Sequence, residues 1–347
     1  MKKIKFTAFS DFHYKKGMYS TTVADLVAVI DRAKASDSEF ILHGGDMCND
    51  YTGSPELINT YLGSGLPVYG VYGNHELETS TNTMDKVTPL LTNDDSVVWG
   101  TADGKIGDGF TAYYHKDIGD FRIVATDTNY SFNPKSGEWE HNTRGSYGPP
   151  AGNLYGNSLG PVQFAWLENL LISSAKEGKK CIIVSHASYL GEISNGTPDW
   201  VAVDQLFQRV NAMKKGTVIM AMNGHYHTNR MFEKNNIVYL DVNTTRNCWW
   251  QIQKEPHYTE GQGQMVEKVD ENGNIIGTKW QEYTDLWMHP NTWFCEDALS
   301  AVVTVCENGE ITIEGTESKW AYDLVPERAH DVCEPRISSA TFKLDLE

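Results

Sequence analysis

The sequence predicts an α/β layered fold, and three observations carry the prediction. Up to Tyr72 the chain alternates short apolar, β-branched runs with amphipathic stretches, in the order strand, helix, strand, helix, strand. Each of these strands runs out at its carboxyl end into a polar segment, the edge on which layered α/β folds build their sites. The third observation is capacity. Of 347 residues 40% are hydrophobic, and 10 Trp and 17 Tyr add large apolar faces, enough for a sizeable core.

Residues 4–10 read as the first strand and exit into Asp11-Phe12-His13. Residues 21–35 follow as an amphipathic helix, with Val23, Leu26, Val27 and Ile30 on one face and Ser20 or Thr21 as N-cap. Residues 39–43 are a second strand that exits into Gly44-Gly45-Asp46. Ser54-Pro55-Glu56 then opens a second helix, with proline in its first turn. Residues 67–72 are a third strand, and it closes on Gly73-Asn74-His75-Glu76. Further strands are expected at 97–99, 111–115 and 121–126, punctuated by turns at Asp103-Gly104 and Ile118-Gly119-Asp120. Residues 129–160 have little periodicity and are long for a loop, which marks them as functional or mobile.

A helix at 161–175 is expected to turn Phe164, Trp166, Leu167, Leu170 and Leu171 inward. A strand at 181–185 ends in His186, a helix spans 203–213, and a strand at 217–222 ends in Asn223-Gly224-His225-Tyr226-His227. Residues 237–242 are one more strand. Residues 244–294, with Trp249, Trp250, Trp280, Trp287, Trp293 and the turn Glu271-Asn272-Gly273-Asn274, read as an irregular insertion containing a hairpin. Residues 299–306 and 311–314 form a second hairpin, and 340–346 a final edge strand. The whole reads as one domain with insertions near 129–160 and 244–294.

Charge and composition narrow the partners. A formal net charge of −17 repels a nucleic-acid backbone or an anionic membrane surface over most of the molecule. It leaves room for an anionic substrate, because a metal centre can invert the field inside a cleft. The six cysteines are scattered without a CxxC pair, which fits neither a disulfide framework nor a zinc ribbon. The apolar run after Met1-Lys2-Lys3 is too short for a leader, reaching a charge at Asp11, and no stretch approaches transmembrane length. The expected location is therefore the cytoplasm.

Five strand exits carry residues that bind metals: Asp11 with His13, Asp46, Asn74 with His75, His186, and His225 with His227. One histidine after a strand is most often a hydrogen-bonded loop residue. Five such exits in one chain are a pattern, and histidine, aspartate and asparagine together suit borderline divalent or trivalent metals.

The order Asp11-x-His13, Gly45-Asp46-x-x-Asn49, Gly73-Asn74-His75-Glu76, His186, Gly224-His225-x-His227 resembles the calcineurin-like metallophosphoesterase family. The resemblance implies a four-layer α/β/β/α sandwich with two central mixed β-sheets, and places the strands at 299–314 in the second sheet. It also implies two metal ions, with Mn, Fe and Zn the leading candidates. One would be held by Asp11, His13, Asp46 and His227, the other by Asp46, Asn74, His186 and His225. The implied reaction is hydrolysis of a small or medium phosphoester, diester or monoester, by in-line attack of a metal-bridging hydroxide. His75 would stabilise the transition state or protonate the leaving oxygen.

The pattern departs from the family's protein phosphatases at Asn49, where they commonly carry Asp, and no Arg follows it. The Asp11-x-His13 start together with Asn74-His75-Glu76 is more similar to the class that includes bacterial cyclic-nucleotide phosphodiesterases and diverse small-molecule phosphohydrolases. Asp50, next door, is a candidate to orient His75. Arg246 as a phosphate clamp, Trp249 as a stacking wall and Tyr189 as a cleft lining are candidate substrate contacts. His43 reads as a buried strand residue, and His115, His141, His257, His289 and His330 receive no role. Two competing functions are a catalytically silent scaffold and a DNA-end nuclease. The complete set of motif positions argues against the first, and the charge without a basic stripe against the second.

Overall fold

The computed structural model describes residues 2–14, 21–76, 82–100, 111–133, 136–141, 157–190, 197–248, 263–272, 274–282, 293–321 and 334–346. The chain begins with β1 (Lys3–Phe9), α1 (Val23–Ala35), β2 (Phe40–His43), α2 (Pro55–Leu62) and β3 (Val68–Gly70). Next come α3 (Met84–Val87), β4 (Val98–Trp99), β5 (Tyr114–Ile118), β6 (Phe121–Ala125) and a hairpin of β7 (Tyr130–Asn133) with β8 (Glu138–His141). They are followed by α4 (Gly160–Glu177), β9 (Lys180–Val184), α5 (Trp200–Met213), β10 (Val218–Asn223), β11 (Arg230–Lys234) and β12 (Ile237–Asp241). The last third adds β13 (Asn247–Cys248), a hairpin of β14 (Gly263–Val269) with β15 (Ile275–Glu282), β16 (Trp293–Phe294), β17 (Ala301–Cys306), β18 (Glu310–Gly315) and β19 (Ala340–Lys343).

Two mixed sheets result, one in the order β19-β18-β17-β1-β2-β3 and the other β11-β12-β10-β9-β6-β5-β4. Side chains alternate across each strand, and that alternation decides the layers. Ile4, Phe6 and Ala8 of β1 and Phe40 and Leu42 of β2 meet Ile123 and Ala125 of β6 and Ile182 and Val184 of β9 in a core between the sheets. Phe9 and Ile41 point the other way, onto Leu26, Val29 and Ile30 of α1 and Leu57 of α2. In the second sheet Val124, Cys181 and Ile183 turn onto Leu167 and Leu171 of α4 and Leu206 and Phe207 of α5. Central strands buried on both faces explain why they read as near-continuous apolar runs. The architecture is helix, sheet, sheet, helix: the expected four-layer sandwich.

Several details differ from expectation. The hairpin of β17 and β18 belongs to the first sheet, not the second. β17 lies antiparallel on the edge of β1 that β2 leaves free, Lys3 opposite Cys306, and sends Ala301, Val303 and Val305 into the inter-sheet core. The buried face of α1 is Leu26, Val29, Ile30 and Ala33, spaced i, i+3, i+4, i+7, whereas Val27 is 40% exposed. Its N-cap is Thr22, which donates to Asp25 from both its N–H and its hydroxyl. The strand expected at 111–115 is β5, three residues later. β11, unforeseen, folds onto β12 through Asn235-Asn236, both at positive φ, as tight hairpins require.

Part of the 129–160 segment is the β7–β8 hairpin, and the second insertion contains the expected hairpin as β14–β15. Residues 142–156, with the segment between Tyr147 and Tyr155, lie outside the described residues, as do Asp103-Gly104, Trp249, Trp250 and Trp287. Among the described residues no helix is long and apolar enough to cross a membrane, and Cys48, Cys181, Cys295 and Cys306 are buried free thiols.

Candidate metal centre

The exit loops are laid side by side by backbone bonds. After β1 and β2, Asp11 N donates to Gly45 O at 3.0 Å, His13 N to Asp46 O at 2.9 Å and Tyr14 N to Met47 O at 3.0 Å. After β9 and β10, Gly224 N donates to His186 O at 3.2 Å. Asp11 joins the two sheets, because its carboxylate accepts the His225 N–H at 3.0 Å and the Ser10 hydroxyl at 2.6 Å.

Asp11, His13, Asp46, His225 and His227 all have φ between 50° and 73°, while only Asp37, Asn235 and Asn236 share that region among the other described non-glycine residues. Left-handed backbone at such residues costs about 1–3 kcal/mol each and gathers at functional sites. Gly73 serves a different need. A Cβ there would overlap the Asp46 carboxylate and amide, so its bare Cα makes room for the carboxylate rather than for a turn.

These constraints bring the seven expected ligands together. His13 Nε2 lies 3.0 Å from His227 Nε2, and His227 Nε2 lies 3.2 Å from Asp11 Oδ1. His186 Nε2 lies 3.1 Å from Asp46 Oδ2, 3.1 Å from Asn74 Oδ1 and 3.2 Å from His225 Nδ1. With metal–ligand bonds of ~2.0–2.2 Å, neighbouring donors around one cation stand roughly 3–3.4 Å apart, the spacing seen here. Two pairs of imidazole nitrogens face each other inside the protein, an arrangement that a shared cation satisfies better than a single proton. The donors form an Asp11, His13, His227 group and an Asp46, His186, His225 group, and His13, Asp46 and His75 lie close enough to form a third between them. Asp46 stands between them, 3.7 Å from His13 Nε2. Residues and spacing therefore fit a binuclear metal site.

Burial and neighbours set the charges. Burial alone would raise the Asp11 and Asp46 carboxyls. The histidines outweigh it, His227 for Asp11 and His186 for Asp46, and hold both below the usual carboxylate range. Burial pushes His13 well below the ordinary histidine range, and with His186 beside it pushes His225 down to about 3. Neutral imidazoles are the form that ligates. Burial works against the charge of His186, yet Asp46 holds it up at about 10.

His75 and Glu76 divide their work. The Asn49 amide nitrogen stands 2.9 Å from His75 Nδ1, so the imidazole proton sits on Nε2, which faces Asp46 Oδ2 at 3.9 Å. Asp50, the expected orienter, is occupied instead with the Gly53 N–H and the Thr52 hydroxyl of its own turn. Glu76, fully buried, accepts the N–H groups of Asp46, Met47 and Gly73 and ties the second exit loop to the third. Burial and the Asp46 charge raise its carboxyl to about 8.

Two of the expected substrate contacts have partners within the protein. The Arg246 guanidinium pairs with Asp25 at 3.1 Å and donates to Cys295 O at 3.0 Å. Tyr189 is buried under α5 against Phe207, with its hydroxyl 2.7 Å from Thr126 Oγ1. Trp249 falls outside the described residues. A sixth exit was missed. β6 releases Thr126-Asp127-Thr128-Asn129, and Asp127 Oδ2 stands 2.6 Å from His141 Nε2. The signal was present, as a polar tetrad at the end of a predicted strand.

The family model of calcineurin-like phosphoesterases matches residues 4–229, more than half of the chain. No curated protein matches the sequence. A solved dimetal phosphatase from Danio rerio is similar in fold, with TM-score 0.53 and 13% identity over 92% of this chain and 98% of that one. The anchor GAP50 in the inner membrane complex of Plasmodium has TM-score 0.47 and 12% identity, over 99% of this chain and 89% of that one.

Proposed function

The chain belongs to the calcineurin-like phosphoesterase family, and on that premise we propose that it hydrolyses small or medium phosphoesters, diesters or monoesters, with two metal ions. The observation that carries the reading is the pair of donor groups on either side of Asp46. Asp11, His13, Asp46 and His227 would hold one ion, and Asp46, Asn74, His186 and His225 the other. A donor set of imidazole, carboxylate and amide oxygen suits Mn, Fe or Zn. When bound, such ions polarise phosphoryl oxygens and lower the pKa of a water held between them.

The protein's own groups do the rest. Asn49 fixes the tautomer in which His75 offers an Nε2–H toward the shared carboxylate. That donor is aimed at charge developing on the phosphoryl group or the leaving oxygen during in-line attack. Glu76 holds the loops of Asp46 and Gly73 in register, so an error of about 1 Å at the shared carboxylate is resisted.

Protein loaded with Mn, Fe or Zn is expected to hydrolyse p-nitrophenyl phosphate or its bis ester with two metals per chain. Asp46→Asn and His75→Ala should each lower kcat/KM by about 10²–10⁴-fold. Fewer than two metals per chain, or no turnover on a panel of mono-, di- and pyrophosphoesters, would favour the silent scaffold.

A further inference from the structure

We propose that Asp127 and His141 form a substrate-recognition pair beside the metal centre, in which His141 accepts a hydrogen bond from a hydroxyl on the alcohol part of the phosphoester. This rests on the proposed phosphoesterase function and extends it to a substrate class, phosphoesters of hydroxyl-bearing alcohols.

The pair sits against the loops of two proposed ligands. β6 and β9 are parallel with Ala125 opposite Val184, and Thr126 N continues the ladder to Val184 O at 2.8 Å. Asp127 thus leaves its strand beside the exit that carries His186. Ala187, the next residue after His186, donates from its N–H to Thr128 Oγ1 at 3.1 Å. On the other side Asn129 Nδ2 donates to Tyr72 O at 3.3 Å, two residues before Asn74. The His141 ring meets the Tyr72 ring at 5.9 Å and the Tyr130 ring at 4.9 Å, both edge to face.

The chemistry of the pair is specified by its bonds. Asp127 is fully buried and accepts the Asn129 N–H at 3.0 Å and its side-chain amide at 2.9 Å. A carboxylate only accepts, so the 2.6 Å contact with His141 fixes the imidazole proton on Nε2. In the neutral imidazole, the form the proposal assigns to His141, Nδ1 is then a lone-pair acceptor. The His141 side chain is 5% exposed, and its Nδ1 is buried with no hydrogen-bond partner among the described residues. A buried polar atom without a partner costs about 1–3 kcal/mol, which a ligand donor recovers. A hydroxyl supplies such a donor, whereas a fully ionised phosphate oxygen does not. Sites built to bond a substrate hydroxyl reject the analogue that lacks it.

The test compares glycerol phosphate with propyl phosphate. The parent protein is expected to prefer the glycerol ester by about 10-fold or more in kcat/KM. His141→Gln keeps an amide near Nε2 for Asp127 but has no atom at Nδ1, and the preference should fall toward one. Asp127→Asn can donate to Nε2 and turn Nδ1 into a donor, so it should lose the preference too. Without any variant, the 15N resonance of His141 Nδ1 in the metal-loaded parent should move with glycerol phosphate and stay with propyl phosphate. An unchanged preference in His141→Gln, or equal shifts with both esters, overturns the proposal. If no ester at all is hydrolysed, the proposed function has failed, and the resonances alone decide the contact.

Discussion

The two ends of the sandwich treat charge in opposite ways. At the carboxyl ends of the parallel strands Asp11, Asp46 and Glu76 are no more than 2% exposed, and the two aspartates converge with the histidines of the donor groups. At the other end, a cleft of about 490 Å³ is lined by Lys179, Lys180, Lys214, Lys215 and Lys343 with Glu307 and Asp345. There Lys215 and Lys179 pair with carboxylates nearer the surface. Lys215 Nζ meets Asp345 at 2.5 Å, and nearby Lys2 meets Asp120 at 2.5 Å with both side chains well exposed. Exposed pairs contribute at most about 1 kcal/mol, whereas buried charge without full compensation costs several. The first end gathers buried donors whose spacing fits metal ions, whereas the second carries its charge near the surface.

Three substitutions would break or sharpen that contrast. Gly73→Ala drives a methyl into the Asp46 carboxylate. It should lower kcat/KM on the order of 10³-fold and reduce the metal content measured by mass spectrometry, since Asp46 would serve both proposed ions. Full activity and two metals per chain would mean the loop yields easily.

Asp241, at the end of β12 and outside the donor groups, tests what buried charge costs without a ligand. Burial raises its carboxyl to about 6 from 3.8, only partly offset by the Asn223 amide and the Arg230 guanidinium 4.0 Å away. A carboxyl raised in the folded state contributes stability that is present at low pH and lost as pH rises from about 4 to about 6. Asp241→Asn should therefore stabilise the protein by about 3 kcal/mol at pH 8 and by little at pH 4, read from denaturant midpoints. Equal effects at both pH values would refute the account. The smallest effect belongs to the other end. Lys215→Ala should change stability by less than about 1 kcal/mol and leave turnover unaltered.

How much of this was legible in the chain depends on the range of the interaction. The seven proposed ligands follow strands whose alternation is local, so they could be picked out one exit at a time. The Asp127 exit is of the same kind but lacks a histidine close in sequence, because its partner His141 arrives 14 residues later on a hairpin. Asp50, next to Asn49 in the chain, is the sequence's candidate to orient His75. The backbone turns Asp50 into its own loop and leaves the Asn49 amide at Nδ1. Arg246 looked available for phosphate, but Asp25 in the first turn of α1, 221 residues away, takes its guanidinium.

By itself, the sequence determined the main strands and helices of the two layers, five of the strand exits and the donor types, because 2.0- and 3.6-residue periods and short motifs are properties of neighbouring residues. Only the tertiary structure decided that the last hairpin completes the first sheet and that five proposed ligands sit in left-handed backbone. It alone gave Glu76 its three backbone N–H groups. Such features arise where chains distant in sequence are pressed together, and no local pattern encodes which partner will be there.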